Sequence, residues 1–133
     1  SIKYPSDWQL RELPLNTAEM AYKVSFYSPG KTYIDLDIGP SEDVSTFENQ
    51  INNAKKYIVD PLEENLENKD FDKSLKLVGI MKPTATPEGI QYYSEIIFLQ
   101  KNKQIYSLRL IQHPEENYIK TFDQILSTFK FTQ

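Results

Sequence analysis

Two apolar stretches near the carboxyl end, residues 90–100 and 104–112, constrain the fold more than any other feature of this sequence. The short turn between them predicts a β-hairpin. In the first stretch Tyr92, Ile96 and Phe98 share one face, while Tyr93, Ile97 and Leu99 share the other. A strand that is apolar on both faces needs cover on both sides. The hairpin therefore predicts a central place in a sheet with further structure packed on each face.

Five other stretches have the length and composition of strands. They are residues 2–4, 8–13, 20–27, 33–38 and 75–82. A Ser-Pro-Gly turn at residues 28–30 joins two of them into a second hairpin. We therefore expect one mostly antiparallel sheet.

A first helix is predicted by apolar residues at helical spacing, namely Phe47, Ile51, Ala54 and Ile58. Ser41 or Ser45 can cap its amino end, and Glu48 follows Ser45 at the spacing of a capping box. Pro61 ends or kinks this helix. Residues 61–72 are acidic and polar, and we expect one or two helical turns there, followed by a loop.

A second helix is expected to open at Pro114, with Glu115 and Glu116 in its first turn, where the helix dipole favours acidic residues. Its apolar stripe consists of Tyr118, Phe122, Ile125, Leu126 and Phe129. Together the elements predict an α+β fold in a single domain over residues 1–133. It is a mostly antiparallel β-sheet flanked by helices on both faces, an α/β/α sandwich.

Charge and cysteine content exclude several classes of function. The formal net charge is −4, which disfavours binding to nucleic acid or to an anionic membrane surface. The sequence has no cysteine, so disulfides, thiol catalysis and cysteine-ligated metals are excluded. No apolar run reaches the length of a membrane span, roughly 20 residues. Any link to a membrane would need a lipid anchor upstream.

No set of residues has the pattern of a catalytic centre. The sequence lacks a nucleophile–base pair, a glycine-rich phosphate loop and a metal-ligand cluster. His113 is the single histidine, and it could act as a base or a metal ligand. With no serine or cysteine motif beside it, a surface or capping role is favoured. We expect no enzyme activity and no cofactor.

Four carboxylates form a candidate metal site. Asp35 and Asp37 share one face of the predicted strand 33–38, and Glu42 and Asp43 follow the next turn. Calcium and similar cations take several oxygen ligands of this kind. The spacing is not that of a calcium loop, so the alternative is a solvated sheet face. Paired acid–base chemistry by the same carboxylates is a further, weaker alternative.

Two other sets of residues are candidates for partner binding. Tyr92, Tyr93, Tyr106 and Tyr118 come from the last hairpin and the last helix. Tyrosines on an open sheet face would form a recognition surface, and the alternative is core and rim packing. The acidic residues of the segment 60–72 could attract a basic partner, or could simply keep the protein soluble.

Four stretches carry a resemblance to a known family. They are the opening Tyr4-Pro5-Ser6-Asp7-Trp8, the strand Val24-Ser25-Phe26-Tyr27, the helix entry Thr46-Phe47 and the closing run from Phe122 to Phe131. In their order the chain resembles the PsbP/Mog superfamily over nearly its whole length. That group includes the extrinsic PsbP proteins of photosystem II, the Ran-binding Mog proteins, and small bacterial envelope lipoproteins and secretion chaperones. The resemblance implies an antiparallel sheet between helices and a non-catalytic binding or assembly module.

These observations leave two hypotheses for function. The first is recognition of a protein or peptide partner through the sheet face and its loops, which predicts an open surface bearing tyrosines. The second is carriage of a small apolar ligand or lipid, which predicts an enclosed cavity of roughly 300 Å³ or more between sheet and helix. An extracytoplasmic or envelope location is expected, and a cytoplasmic one stays open.

Overall fold

The computed structural model describes residues 4–13, 22–38, 46–67, 69–85, 89–102 and 104–128. Within these ranges the chain forms seven β-strands and two α-helices. The strands are β1 (Gln9–Leu13), β2 (Tyr22–Tyr27), β3 (Tyr33–Ile38), β4 (Ile58–Asn65), β5 (Lys73–Met81), β6 (Tyr93–Lys101) and β7 (Gln104–Gln112). The helices are α1 (Phe47–Lys55) and α2 (Ile119–Thr128). The predicted strand at residues 2–4 falls almost wholly outside the described residues.

All the strands described belong to one antiparallel sheet in the order β1-β2-β3-β7-β6-β5-β4. The hairpin predicted near the carboxyl end is confirmed as β6 and β7, which pair from Tyr93↔Gln112 to Lys101↔Gln104. Its turn includes Asn102 with φ 51°, a left-handed conformation that asparagine tolerates better than most residues. The fold is therefore α+β, with β6 and β7 inside the sheet as predicted.

The larger core cluster includes residues of α2. Phe122 and Ile125 of this helix pack with residues from β2, β3, β6 and β7. The sheet residues are Val24, Phe26, Ile34, Leu36, Ile97, Leu99, Leu108 and Leu110. Trp8 joins the same cluster and packs edge-on against Tyr118, with the ring centroids 5.0 Å apart. The tryptophan thus anchors the start of the described chain to this cluster.

The second core cluster includes residues of α1. Phe47 and Ile51 of this helix pack with Ile58, Leu75, Leu77, Ile96, Phe98 and Ile105. β6 contributes alternate residues to the two clusters, and alternate side chains of a strand point to opposite faces. The two clusters therefore lie on opposite faces of the sheet, in agreement with the two apolar faces predicted for this strand.

The boundaries of both helices differ from those predicted. α1 is capped by Thr46, whose hydroxyl accepts the Asn49 N–H at 3.1 Å, and Ser45 lies outside the described residues. α2 begins at Ile119 and not at Pro114. Glu116 instead accepts the Lys31 N–H at 2.7 Å and the Thr32 hydroxyl at 3.1 Å. This acidic side chain therefore holds the β2–β3 turn and does not lie in the first turn of a helix.

Two predictions for this region are wrong: Ile58 is not part of the first helix, and the expected helical turns after Pro61 are absent from the described residues because Ile58–Asn65 form a strand. Ile58 begins the strand β4 and does not continue α1. Pro61 stands at a register shift between Val59 and Leu62, where Asp60 has φ 44°. A β-bulge of this kind accommodates proline in a strand at the edge of a sheet. Gly79 makes room for it, because an added Cβ there would clash with Ile58 Cγ2.

Candidate binding surfaces

Exposed apolar side chains are concentrated at the β4 corner of the sheet. Tyr57, Val59, Leu62 and Ile80 are 50%, 44%, 70% and 38% exposed, and we call these four residues the edge patch. Val59 pairs directly with Ile80. Beyond the bulge Leu62 pairs with Val78, two positions from Ile80 on β5, so Leu62 lies on the same face. The Tyr57 carbonyl accepts the Lys82 N–H at 2.8 Å, which places this residue at the same corner. Clustered apolar exposure of this kind marks interaction sites in soluble proteins.

The strand beneath the edge patch resists pairing with another strand. β4 is the last strand in the sheet order, and it contains Pro61, a bulge and the carboxylates Asp60, Glu63 and Glu64. Proline, bulges and charged side chains are the features by which natural sheet edges avoid edge-to-edge pairing. A partner at this corner would therefore pack against side chains and would not extend the sheet.

A second candidate surface is a cleft of about 540 Å³ between α1 and the end of the β4–β5 pair, open to solvent. Phe47, Ile51 and Leu75 supply apolar lining. Asn52 from α1 and Asn65 from β4 also line it. The volume lies within the range of sites for small ligands. The described lining contains more polar and charged residues than apolar ones.

Two ion pairs connect α1 to the sheet across this cleft. Glu48 contacts Lys73 at 2.9 Å near the start of the helix, and Lys55 contacts Glu63 near its end. The Lys73 contact lowers the pKa of the Glu48 carboxyl. Because Glu48 and Lys55 are seven residues apart on one helix, the two pairs lie about 10.5 Å apart along the helix axis. All four side chains are at least 35% exposed, so the pairs are open to exchange with a ligand.

One of the four predicted metal ligands, Asp35, lies in a polar row that crosses four strands. Arg11, Ser25, Asp35 and Arg109 are successive partners in the register of β1, β2, β3 and β7. Asp35 is only 2% exposed, so the expectation that its carboxylate lies on a solvated sheet face is wrong. Its Oδ1 accepts the Ser25 hydroxyl at 2.6 Å, and its Oδ2 lies 3.7 Å from Arg109.

Of the other three predicted metal ligands, only Asp37 lies within the described residues. Asp37 lies two positions along β3 on the same face by register, and Glu42 and Asp43 lie outside the described residues. Across the described ranges, no group of three or more possible ligands is positioned to hold a metal ion. Metal binding by the four carboxylates stays a prediction.

The four predicted partner-binding tyrosines are distributed between separate environments. Tyr92 is buried and packs against His113 at 5.6 Å between ring centroids. Tyr93, Tyr106 and Tyr118 are half-buried and pack against the larger core cluster. Partner binding by these tyrosines stays a prediction. The exposed apolar residues instead lie at the edge patch. Pro61 interrupts the alternation of apolar and polar residues in β4, so the sequence did not predict an exposed apolar surface there.

His113 has the contacts of a structural residue. It is 9% exposed, its backbone N–H donates to the Thr32 hydroxyl at 3.2 Å, and its Nδ1 accepts the Glu115 N–H at 3.2 Å. The imidazole thus supports the turn after β7, in agreement with the predicted capping role. Its ring also packs against Tyr92, in a contact that the sequence did not predict.

A buried ion pair on β6 was not predicted from the sequence. Glu95 is 1% exposed, and its Oε1 lies 2.7 Å from Lys76 Nζ on the neighbouring strand. Its Oε2 has no hydrogen-bond partner among the described residues. The contact with Glu95 raises the pKa of Lys76. The sequence feature that could have indicated this pair is the single carboxylate inside the apolar run of residues 93–99, because a buried charge needs a partner.

Burial of tyrosines predicts a limit to stability at alkaline pH. Desolvation raises the pKa of Tyr33, Tyr93, Tyr106 and Tyr118. A raised folded-state pKa contributes stability that is present below the unfolded value of about 10 and is lost as pH rises through the folded value. We expect urea denaturation midpoints to stay constant from about pH 7 to 9 and to fall above about pH 10. Tyr33→Phe should show a shallower fall, and a profile identical to that of the parent protein would contradict this assignment.

No known family model matches this sequence, and no curated protein matches it. The fold is nevertheless similar to solved structures. One is PA94 from Pseudomonas aeruginosa, a protein of unknown function described as a candidate regulator, with TM-score 0.60 and 12% identity over 95% of this chain and 83% of PA94. Another is cyanobacterial PsbP (CyanoP) from Synechocystis sp. PCC 6803, with TM-score 0.54 and 12% identity over 98% of this chain and 85% of CyanoP.

These similarities show that the chain has a PsbP-like fold, as the sequence resemblance implied. At 12% identity, these similarities show the fold of this chain and do not show its function. In the parts of the chain that the structure describes, no helix is long and apolar enough to cross a membrane.

Proposed function

We propose that this PsbP-like domain is a non-catalytic binding module that recognises a protein partner through the edge patch. The observation that carries the proposal is the concentration of Tyr57, Val59, Leu62 and Ile80 at one corner. These side chains remain exposed outside both core clusters, so they are available for a partner. The sandwich arrangement, with one helix on each sheet face, would leave this corner open at the end of the sheet. Neither structural neighbour is described as an enzyme.

The charges beside the edge patch indicate the chemistry of the partner. β4 contributes Asp60 and Glu64 beside the patch and contains no basic residue, while Glu63 belongs to the cleft on the other face. A second copy of this chain would bring these carboxylates against one another, which disfavours self-association through this strand. A partner with apolar side chains surrounded by lysine or arginine would match both the patch and its acidic border. Attraction of this kind raises the association rate and weakens as salt is added.

A peptide library displayed on phage tests the proposal and does not require the natural partner to be identified. We expect selection on the intact domain to enrich peptides that combine apolar and basic residues. Leu62→Ser should weaken binding of the enriched peptides by about tenfold or more, as expected for a central apolar contact. Because Leu62 is 70% exposed, the substitution should leave the folded state intact, which thermal denaturation would verify.

Leu10 provides the matched control for this experiment. It is also an exposed leucine on a strand, 41% exposed, but it lies on β1 at the opposite edge of the sheet. Leu10→Ser should therefore bind the enriched peptides as the parent protein does. Enriched peptides that are acidic, or that lose equal affinity on both substitutions, would refute the edge patch as the binding surface.

A second candidate function is carriage of a small ligand, and the cleft beside α1 supports it. Its volume of about 540 Å³ is large enough for a small ligand, although the cleft is open to solvent and is not the enclosed cavity that was expected. The cleft lies by the α1-side core cluster, whereas Val59 and Ile80 belong to the opposite face. The two candidate functions therefore use separate surfaces and can be tested separately. For either function we propose an extracytoplasmic location, as for an envelope-associated binding protein.

A further inference from the structure

We infer that the cleft beside α1 binds a short apolar peptide of about three residues with free, charged termini. The inference rests on the second candidate function, carriage of a ligand, and it specifies the ligand by chemistry. Four properties of the cleft support it: its apolar lining, its balance of charge, the separation of its two ion pairs and the two amide side chains.

The charged residues of the cleft favour a ligand that carries both signs of charge. The described lining has two carboxylates, Glu48 and Glu63, and two ammonium groups, Lys55 and Lys73. Each end of the cleft offers one group of each sign, because the residues are paired as Glu48–Lys73 and Lys55–Glu63. A purely anionic or cationic ligand would bring its charge beside a group of like sign. A zwitterion can satisfy a lysine at one end and a glutamate at the other.

The separation of the ion pairs sets the length of the ligand. They lie about 10.5 Å apart along α1, since seven residues separate Glu48 from Lys55. An extended chain spans about 3.3–3.6 Å per residue, so a tripeptide has the length to place its carboxylate and its ammonium group at opposite ends. A single amino acid would reach only one of the two pairs.

The groups between the ends match the body of a peptide. Phe47, Ile51 and Leu75 are 7%, 7% and 8% exposed, and the small apolar surface that they leave at the floor of the cleft can contact side chains of the ligand. Asn52 and Asn65 both line the cleft, and an asparagine amide can donate to and accept from a peptide group. The ion pairs themselves are partly exposed, so exchanging them for the ligand termini costs little.

Isothermal titration calorimetry on the intact domain tests the inference with three probes. They are the tripeptide Leu-Ala-Leu with free termini, the same peptide acetylated and amidated, and decanoate as an apolar anion. We expect the free tripeptide to bind at one site, blocking of both termini to weaken binding by about tenfold, and decanoate to bind more weakly than the free tripeptide.

A matched pair of variants locates the site. Asn52 and Asn53 are neighbouring exposed residues of α1, and only Asn52 lines the cleft. Asn52→Trp should fill the cleft and abolish binding, while Asn53→Trp should bind as the parent protein does. Circular dichroism would establish that both variants keep the fold. Equal binding by both variants would overturn the assignment of the site.

The probes separate failure of this inference from failure of the second candidate function. Binding of decanoate that Asn52→Trp abolishes, without binding of the tripeptide, would overturn the peptide inference and retain a ligand carrier. Equal affinity for the free and the blocked tripeptide would overturn recognition of the charged termini. Absence of binding by all three probes would overturn both.

Discussion

Phe122→Ala is expected to lower the free energy of unfolding by about 3–5 kcal/mol, the usual cost of deleting a fully buried phenylalanine ring. Phe122 is 0% exposed and joins α2 to a core cluster drawn from β2, β3, β6 and β7. Its removal leaves a cavity between the helix and four strands that the rigid sheet cannot easily close. Urea denaturation, followed by far-ultraviolet circular dichroism, measures the loss.

Ile119 supplies the control on the same helix. It is 36% exposed at the start of α2, so Ile119→Ala should cost much less than Phe122→Ala. A cost below about 1 kcal/mol for Phe122→Ala would contradict the packing of α2 against the sheet.

Lys76→Met is expected to cost about 3 kcal/mol or more, because it leaves the buried Glu95 carboxylate without its cation. Glu95 is almost fully enclosed, and Lys76 Nζ is 2.7 Å from its Oε1. Loss of one member of a buried pair is more damaging than replacement of both, since the remaining charge keeps its full desolvation cost.

The double variant Lys76→Met with Glu95→Leu tests that explanation. It removes both charges and keeps similar side-chain volume, so it should recover most of the stability lost in Lys76→Met. If the double variant is less stable than Lys76→Met alone, the buried pair stabilises the protein in another way and the account of Glu95 is wrong. Urea denaturation at neutral pH suits both comparisons.

The parts of the fold predicted from sequence are those in which local pattern and tertiary environment agree. The alternation in residues 33–38 placed Ile34 and Leu36 on one face and Asp35 on the other, and β3 has that arrangement. The two apolar faces of residues 93–99 likewise predicted the central strand β6. Alternate side chains of a strand point to opposite faces of the sheet. The order of apolar and polar residues therefore shows which faces of the strand are buried.

The parts that were not predicted depend on contacts distant in sequence. β4 reads as a continuation of α1 because Ile58 falls at helical spacing, and its strand conformation comes from pairing with β5. Asp35 reads as a solvated carboxylate, yet Ser25 and Arg109 from the two flanking strands approach it. The pairing of strands brings together residues that are far apart in the chain, and the pattern of apolar and polar residues within one strand does not show which strand it will pair with.

The candidate surfaces were predicted only in outline. An open apolar surface and a cavity were both expected, but the tyrosines chosen for the surface lie largely in packed environments. Leu62 stands alone among polar residues in the sequence, between Pro61 and Glu63. Leu62 is a candidate contact for a partner only because the pairing of β4 with β5 places it near Val59 and Ile80.

The central claim is that the edge patch is the surface that a protein partner contacts. Nuclear magnetic resonance tests it most directly, with a spin label attached to a peptide enriched on the intact domain. We predict that the label broadens the amide signals of Val59, Leu62 and Ile80 and leaves those of β1 sharp. Broadening centred on β1 or on α2, with the signals of the edge patch unchanged, would contradict the claim.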